Sequence, residues 1–196
     1  RELSVASMSS TTSKYRETGT IINLVTFNRL GTLPTRNFQQ TRFDGAGRLS
    51  AEALQRDGNR LRASCAACTI GCEHIFVPQA GSARDGVRLE YESLYAFRPM
   101  CGVDDPDIVL EAAKRCDEYG MDTISTGATI AFAMDCAERG LLSDTSLSFG
   151  DGLAMLDCID YIAQRSGIGE LLAHGSRRAA AQIGGGSEEF APHVKG

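Results

Sequence analysis

From Asp105 onward, apolar side chains recur three and four positions apart, the spacing that lays one continuous stripe along an α-helix. Asp105 is suited to cap a helix and Pro106 to open it, because proline lacks an N–H that the first turn leaves unbonded anyway. Ile108, Val109, Ala112, Ala113 and Cys116 form its stripe, and Gly120 closes it. A second helix is predicted from about Ser125 to Arg139, with Ile130, Ala133, Met134 and Ala137 inward and Gly140 as its stop. A third starts near Asp151, carries Leu156, Ile159, Ile162 and Ala163, and ends before Gly167. A fourth spans about Glu170 to Ile183 and runs into Gly184-Gly185-Gly186, a run that makes loops. Without a preceding strand, these glycines are no dinucleotide fingerprint.

The first half is less regular. Tyr15 to Leu30 reads as one helix, with Ile21, Leu24, Val25 and Asn28 on a face and Gly31 as a left-handed cap. Leu33 to Phe38 reads as an extended linker whose Arg36 either serves an anion or, more commonly for such a residue, sits in a solvated turn, and Ser50 to Arg62 as a polar, helix-prone segment. Pro78 to Gly86 carries turn residues. An apolar patch at Leu94, Tyr95 and Phe97 is broken by Pro99 and Gly102. Four capped helices and few strand signals predict a mainly α fold, and no internal repeat is present.

Composition narrows the picture. With 196 residues, 42% of them hydrophobic and 23% charged, the chain has the make-up of a globular protein with a sizeable core. Its net charge of −5 argues against nucleic acid or an anionic membrane as the main partner. No apolar run approaches the length of a membrane span. Seven cysteines, three of them clustered, fit a reducing compartment such as the cytoplasm better than a disulfide scaffold. The chain opens at Arg1 rather than Met and stops at Lys195-Gly196, so it is expected to be a piece of a longer protein.

The chemistry-bearing stretch is Cys65-Ala-Ala-Cys68-Thr-Ile-Gly-Cys72. One short loop with this spacing bends around a soft metal and presents three thiolates, with Gly71 placed for a sharp turn. The spacing suits three corners of a [4Fe–4S] cube, with the fourth ligand supplied from elsewhere. Two other readings stand beside it. A structural zinc site calls for a second ligand pair, and His74, the nearby candidate, lies too close in sequence. Buried or redox-active thiols are the third.

Further motifs join the cysteine loop in order. They are Glu90-Tyr91-Glu92, then Cys101-Gly102-Val103-Asp104-Asp105, and then Asp117 to Ser125. Phe149-Gly150-Asp151, Arg165-Ser166-Gly167-Ile168-Gly169 and His193-Val194-Lys195-Gly196 follow. Taken together, their order and spacing closely resemble the tungsten-dependent aldehyde ferredoxin oxidoreductase family. The opening third matches more loosely, through Thr32 to Phe38. The resemblance implies a helical iron–sulfur and pterin-binding domain over 49–196, incomplete on its C-terminal side. Residues 1–48 are then the tail of a preceding α+β pterin-binding domain and a linker.

The same resemblance implies an activity: aldehydes are oxidised to carboxylic acids at a tungsten (or molybdenum) held by two pyranopterins, and electrons leave through a [4Fe–4S] cluster to ferredoxin. It makes Cys65, Cys68 and Cys72 three of the cluster ligands. The family's fourth cysteine belongs to a later D-x-x-G-L-C motif that this sequence does not contain, and Cys101, Cys116, Cys136 and Cys158 read as core. Asp117-x-x-Gly120-Met121-Asp122 looks like the family's first pterin-binding turn, with Met121 in place of the usual Leu. There a carboxylate accepts from the pterin's amine and ring N–H groups. Glu92 aligns with the active-site glutamate, and Glu90 is its competitor because both flank Tyr91 on one face if that stretch is extended. Packed among apolar neighbours, such a carboxylate has a raised pKa, as acid–base work requires. Glu111 is followed by Lys114, so the family's E-x-x-H iron site is not supported, and His193 receives no catalytic role.

The partners implied are ferredoxin or another electron-transfer subunit, a small aldehyde, and further copies or subunits in a homo- or hetero-oligomer. Two alternatives carry the same residues differently. One is a class II benzoyl-CoA reductase-type subunit of the same family; the other is an electron-transfer or structural iron–sulfur module without an active site of its own.

Overall fold

A computed structural model describes residues 2–47, 60–77, 86–143 and 145–194. The fold is mainly α. Three short helices come first: α1 (Glu2–Ala6), α2 (Ser13–Thr18) and α3 (Ile22–Leu30). A small antiparallel sheet follows, of β1 (Arg60–Ala63), β2 (Glu73–Phe76) and β3 (Val87–Arg88) in the order β1-β2-β3. Its register pairs Arg60 with Phe76, Ala63 with Glu73, and Ile75 with Arg88. Six helices complete the described chain: α4 (Tyr91–Phe97), α5 (Pro106–Tyr119), α6 (Thr123–Glu138), α7 (Gly152–Gln164), α8 (Ile168–Leu172) and α9 (Ser176–Ile183).

The core forms around α6. Residues Ile130 to Cys136 of that helix are all buried, so it is enclosed on every side rather than lying on the surface. Helix α4 crosses it where Gly127 faces Ala96, and a Cβ at Gly127 would stand 2.7 Å from the Ala96 carbonyl oxygen. Helices α5 and α7 are joined by Arg115, which donates to Glu111 at 2.8 Å and to Asp160 at 2.6 Å. Ile21, Leu24, Leu33 and Phe43 from the opening third join the same hydrophobic cluster.

The α5 boundaries follow the sequence closely. The Asp105 side chain accepts from the Asp107 and Ile108 N–H groups, Pro106 opens the helix, and Gly120 caps it in the left-handed region. The buried stripe includes Val109, Ala112, Ala113 and Cys116, as expected. All four cysteines read as core are buried.

Four expectations are corrected. The helix expected over Tyr15–Leu30 is interrupted after Thr18. Gly19 adopts φ +67°, and a side chain there would overlap the His74 ring, so tertiary packing overrides the local pattern. The segment expected to be helical up to Arg62 ends in strand β1, because Arg60–Ala63 completes its backbone bonding against β2; residues 48–59 lie outside the described residues. Pro78 to Asp85 also lie outside them. The Leu33–Phe38 stretch is not extended. Arg36, Asn37 and Phe38 all have positive φ, closing a turn bridged by Thr35 and Gln40. Donation from the Arg36 and Asn37 N–H groups to the Pro99 and Met100 carbonyls holds this costly conformation. Arg36 is half-buried, pairs with Glu138 at 2.6 Å and lies over Phe149. Finally, the helix expected over Glu170–Ile183 is two, α8 and α9, parted at Gly175 with φ +81°.

The α7–α8 turn is as close as the α4–α6 crossing. Gly169 lies against the Tyr161 carbonyl, leaving no room for a Cβ. Gly169→Ala is therefore expected to destabilise the fold by about 2 kcal/mol. A thermal melt should show the midpoint lowered by about 4–8 °C.

Candidate metal and cofactor site

The three-cysteine motif is the connection between β1 and β2. The hairpin strands anchor both ends of the loop, while its middle is shaped by backbone bonds. The Cys68 N–H donates to the Cys65 carbonyl at 3.0 Å, closing a turn in which Ala67 has φ +59°. Gly71 follows at φ +60°, packed so closely that a Cβ would stand 2.7 Å from Ser64 Oγ. Cys65 is exposed and Cys68 and Cys72 are half-buried, and none of the seven cysteines is in a disulfide.

The thiols differ electrostatically. The Gly71 and Ile70 N–H groups hold the Cys68 thiol below its ordinary pKa by donating to the thiolate. Burial pushes the Cys72 thiol up, and the Glu90 carboxylate adds to the rise. Amide donors aimed at sulfur are what a cluster-ligating thiolate needs, and the donor set is soft and otherwise uncommitted. Among the described residues, no three His, Cys, Asp or Glu side chains are gathered into a finished metal cage. His74 is buried in contact with the α2–α3 junction at Gly19, and its pKa is lowered by burial and then by Arg60.

Beside this loop lies a cavity of about 340 Å³ lined by Glu90, Glu92, Asp117, Met121 and Asp122, with Arg88, Ser93, Thr123 and Ile124. All four residues singled out for catalysis and cofactor binding thus share one space. Three local structures bring them there. Glu90 holds the extended N-cap position of α4, while Glu92 lies within the first helical turn. The stretch is therefore not extended, and the two carboxylates do not share a strand face as expected. Glu92 is exposed rather than packed among apolar groups. Glu90 is half-buried and accepts from Thr20 Oγ1 at 2.6 Å; the same hydroxyl accepts from the Tyr91 N–H at 2.9 Å.

Asp117 and Met121 flank the left-handed Gly120 that ends α5. The Met121 N–H donates to the Cys116 carbonyl at 2.8 Å, turning the chain so that Met121 and Asp122 lie beside the final turn of the helix. Asp122 then caps α6, its Oδ2 accepting from the Ser125 N–H at 2.7 Å. Ser93 Oγ and Thr123 Oγ1, 2.9 Å apart, tie α4 to α6. A smaller cavity of about 200 Å³ adjoins on the far side of Met121 and Asp122, reaching Thr126, Thr129 and Gly175.

Sequence reasoning missed a buried carboxylate. Asp135, fully buried on α6, accepts from Asn37 at 2.8 Å, Gln39 at 2.9 Å and Arg139 at 2.6 Å. Its signal was present as a lone carboxylate inside the apolar run Ile130 to Cys136.

The cap and the carboxylate beside it are separable by substitution. Asp122→Ala is expected to cost about 1 kcal/mol, and Asp122→Ser to retain most of that. Asp117→Asn, at an exposed position, should leave the unfolding midpoint in urea unchanged.

Comparison with known proteins bears on what the site holds. The family described as "Aldehyde ferredoxin oxidoreductase, domains 2 & 3" matches residues 2–196. The tungsten-containing aldehyde ferredoxin oxidoreductase of Thermococcus kodakarensis is 36% identical over 184 residues, covering 91% of this chain and 29% of that protein. The aliphatic sulfonate oxidoreductase, WOR-like subunit, of Pyrococcus furiosus is 32% identical over 141 residues, covering 66% of this chain and 22% of that one. Among solved structures, the active-site complex BamBC of benzoyl coenzyme A reductase with 1,5-dienoyl-CoA superposes with a TM-score of 0.62 at 27% identity. That match covers 72% of this chain and 21% of the other. The chain spans less than a third of the length of these curated relatives.

Proposed function

The chain belongs to the aldehyde ferredoxin oxidoreductase family, and from that premise we propose that it supplies the cluster-binding loop and one pterin-binding turn of a tungsten- or molybdenum-pterin oxidoreductase. The reaction is oxidation of an aldehyde with water to a carboxylic acid, releasing two protons and two electrons. A bound tungsten–pterin centre supplies the two-electron redox chemistry, and a [4Fe–4S] cluster relays single electrons to ferredoxin or another electron-transfer subunit. The observation that carries this reading is the one cavity shared by Glu92, Asp117, Met121 and Asp122 beside the cysteine loop.

Each residue has a distinct task. Cys65, Cys68 and Cys72 hold three corners of the cluster, the fourth ligand coming from outside the loop. Asp117 accepts hydrogen bonds from the pterin's amine and ring N–H groups. Asp122 fixes the turn by capping α6, and Met121 fills the space beside it. Glu92, in the first turn of α4, takes the proton that water or substrate gives up. Glu90 is bonded to Thr20 and less free for that task. The cytoplasm as compartment and a homo- or hetero-oligomeric state complete the reading.

A second reading has its own support. The likeness to the benzoyl coenzyme A reductase complex favours an acyl-CoA-directed subunit with the same metal and cluster. Turnover of a CoA thioester in place of a free aldehyde selects it.

The test uses the whole protein, purified without oxygen. Tungsten or molybdenum is expected in stoichiometric amount, with iron and labile sulfide near four each per chain, the content of one cube. Serine at Cys65, Cys68 or Cys72 should abolish the cluster's visible absorbance. Glu92→Gln should lower kcat by about 10²–10⁴-fold with metal content unchanged. Full metal content with kcat left within twofold removes Glu92 from the reaction.

A further inference from the structure

Two cavities meet at Ile124: the Glu92 cavity, and a larger one of about 750 Å³ whose wall includes Tyr95, Met100, Glu189, Phe190 and His193. The Glu92 cavity is also lined by Glu90, which has no part in the acid–base reading. The fold nonetheless holds that carboxylate from two sides.

The sheet holds it from one side. Strand β3 ends at Arg88, and the Leu89 N–H donates to the His74 carbonyl at 3.1 Å. The chain entering Glu90 therefore runs beside β2, the strand that begins directly after Cys72. The α2–α3 junction holds it from the other. A Cβ on Gly19 would stand 3.1 Å from the Cys72 carbonyl oxygen, so this junction is packed against the last cysteine of the loop. The next residue, Thr20, donates its hydroxyl to Glu90 Oε2 at 2.6 Å and accepts from the Tyr91 N–H at 2.9 Å. Gly19 and Thr20 thus clamp the cysteine loop to the start of α4.

Charge decides what the clamp does. The Glu90 side chain is only 20% exposed, so water and salt screen it weakly. Arg88 Nη2 lies 3.5 Å from Glu90, but Arg88 Nε is nearer to Glu73, at 3.2 Å, and the arginine is 54% exposed. One well-hydrated guanidinium shared by two carboxylates leaves net negative charge beside Cys72. On the other flank of the loop, the exposed Arg62 packs against Gly71. The electrostatic effect of Glu90 on Cys72 agrees with the placement. A glutamine oxygen would accept the same bond from Thr20, so the local fold needs an acceptor there while the charge acts elsewhere.

We propose that Glu90, held by Thr20, sets the reduction potential of the cluster carried by Cys65, Cys68 and Cys72. The proposal rests on the oxidoreductase reading given above. Two electrons leave each aldehyde and pass through the cluster one at a time to the electron-transfer partner. Adding an electron next to a fixed negative charge is disfavoured, so Glu90 lowers the potential and eases onward release. Glu90 transfers no proton and forms no bond in this role; it is a positioning residue for charge.

The test uses the whole protein, purified without oxygen, and a redox titration of the cluster followed by electron paramagnetic resonance. Glu90→Gln keeps the acceptor for Thr20 and removes the charge. It is expected to shift the reduction equilibrium about tenfold toward the reduced cluster, a rise of about 59 mV for one electron, with iron content unchanged. Thr20→Val frees the carboxylate to turn toward Arg88 and should raise the potential by less, while Thr20→Ser, which keeps the hydroxyl, should leave it in place. The Thr20 pair carries the test if Glu90→Gln fails to fold. A cluster whose equilibrium moves less than twofold in Glu90→Gln and Thr20→Val overturns the proposal while the oxidoreductase reading stands. A protein without an iron–sulfur signal overturns both.

Discussion

The crossing of α4 and α6 at Gly127 and Ala96 is the constraint from which the site follows. With no side chain on Gly127, the two backbones approach until a Cβ would collide with a carbonyl. That approach carries the first turn of α4 to the N-terminus of α6, where Ser93 meets Thr123. Glu92 and Asp122 then line one cavity although 30 residues separate them, and Ile124 separates that cavity from the larger one. A bulkier residue at 127 would pry apart the two elements that carry the carboxylates.

The cysteine hairpin is joined to this frame through Glu90. The carboxylate caps no helix by its side chain; it is bonded to Thr20, which also accepts from the first N–H of α4. Its negative charge acts on Cys72 across the boundary between sheet and helices. The cysteine loop and the carboxylate cavity are thus neighbours through one ordered side chain. His74, locked at Gly19, holds the strand after Cys72 against the α2–α3 junction.

Where local chemistry decides conformation, the sequence was legible. Asp105 with Pro106, Gly120, and Asp151 each act within a turn or two of themselves, and the caps of α5 and α7 stand where the pattern predicts. The break at Gly19 was not readable, because its cause is a histidine 55 residues later. The left-handed turn at Arg36 to Phe38 depends on carbonyls of Pro99 and Met100 and on Asp135, all far along the chain. β1 was likewise hidden, since its residues become a strand only by pairing with β2.

The residue types and spacings alone determined the mainly α class, the three-thiol loop and the acidic glycine turn, because helix caps, apolar periodicity and ligand spacing are local properties of the chain. Only the tertiary structure decided that Glu92, Asp117, Met121 and Asp122 line one cavity, that Glu90 is bonded to Thr20 while Glu92 is exposed, and that a larger space lies next door. Such convergence depends on how closely two helices approach, and that distance is set by side chains on both of them at once.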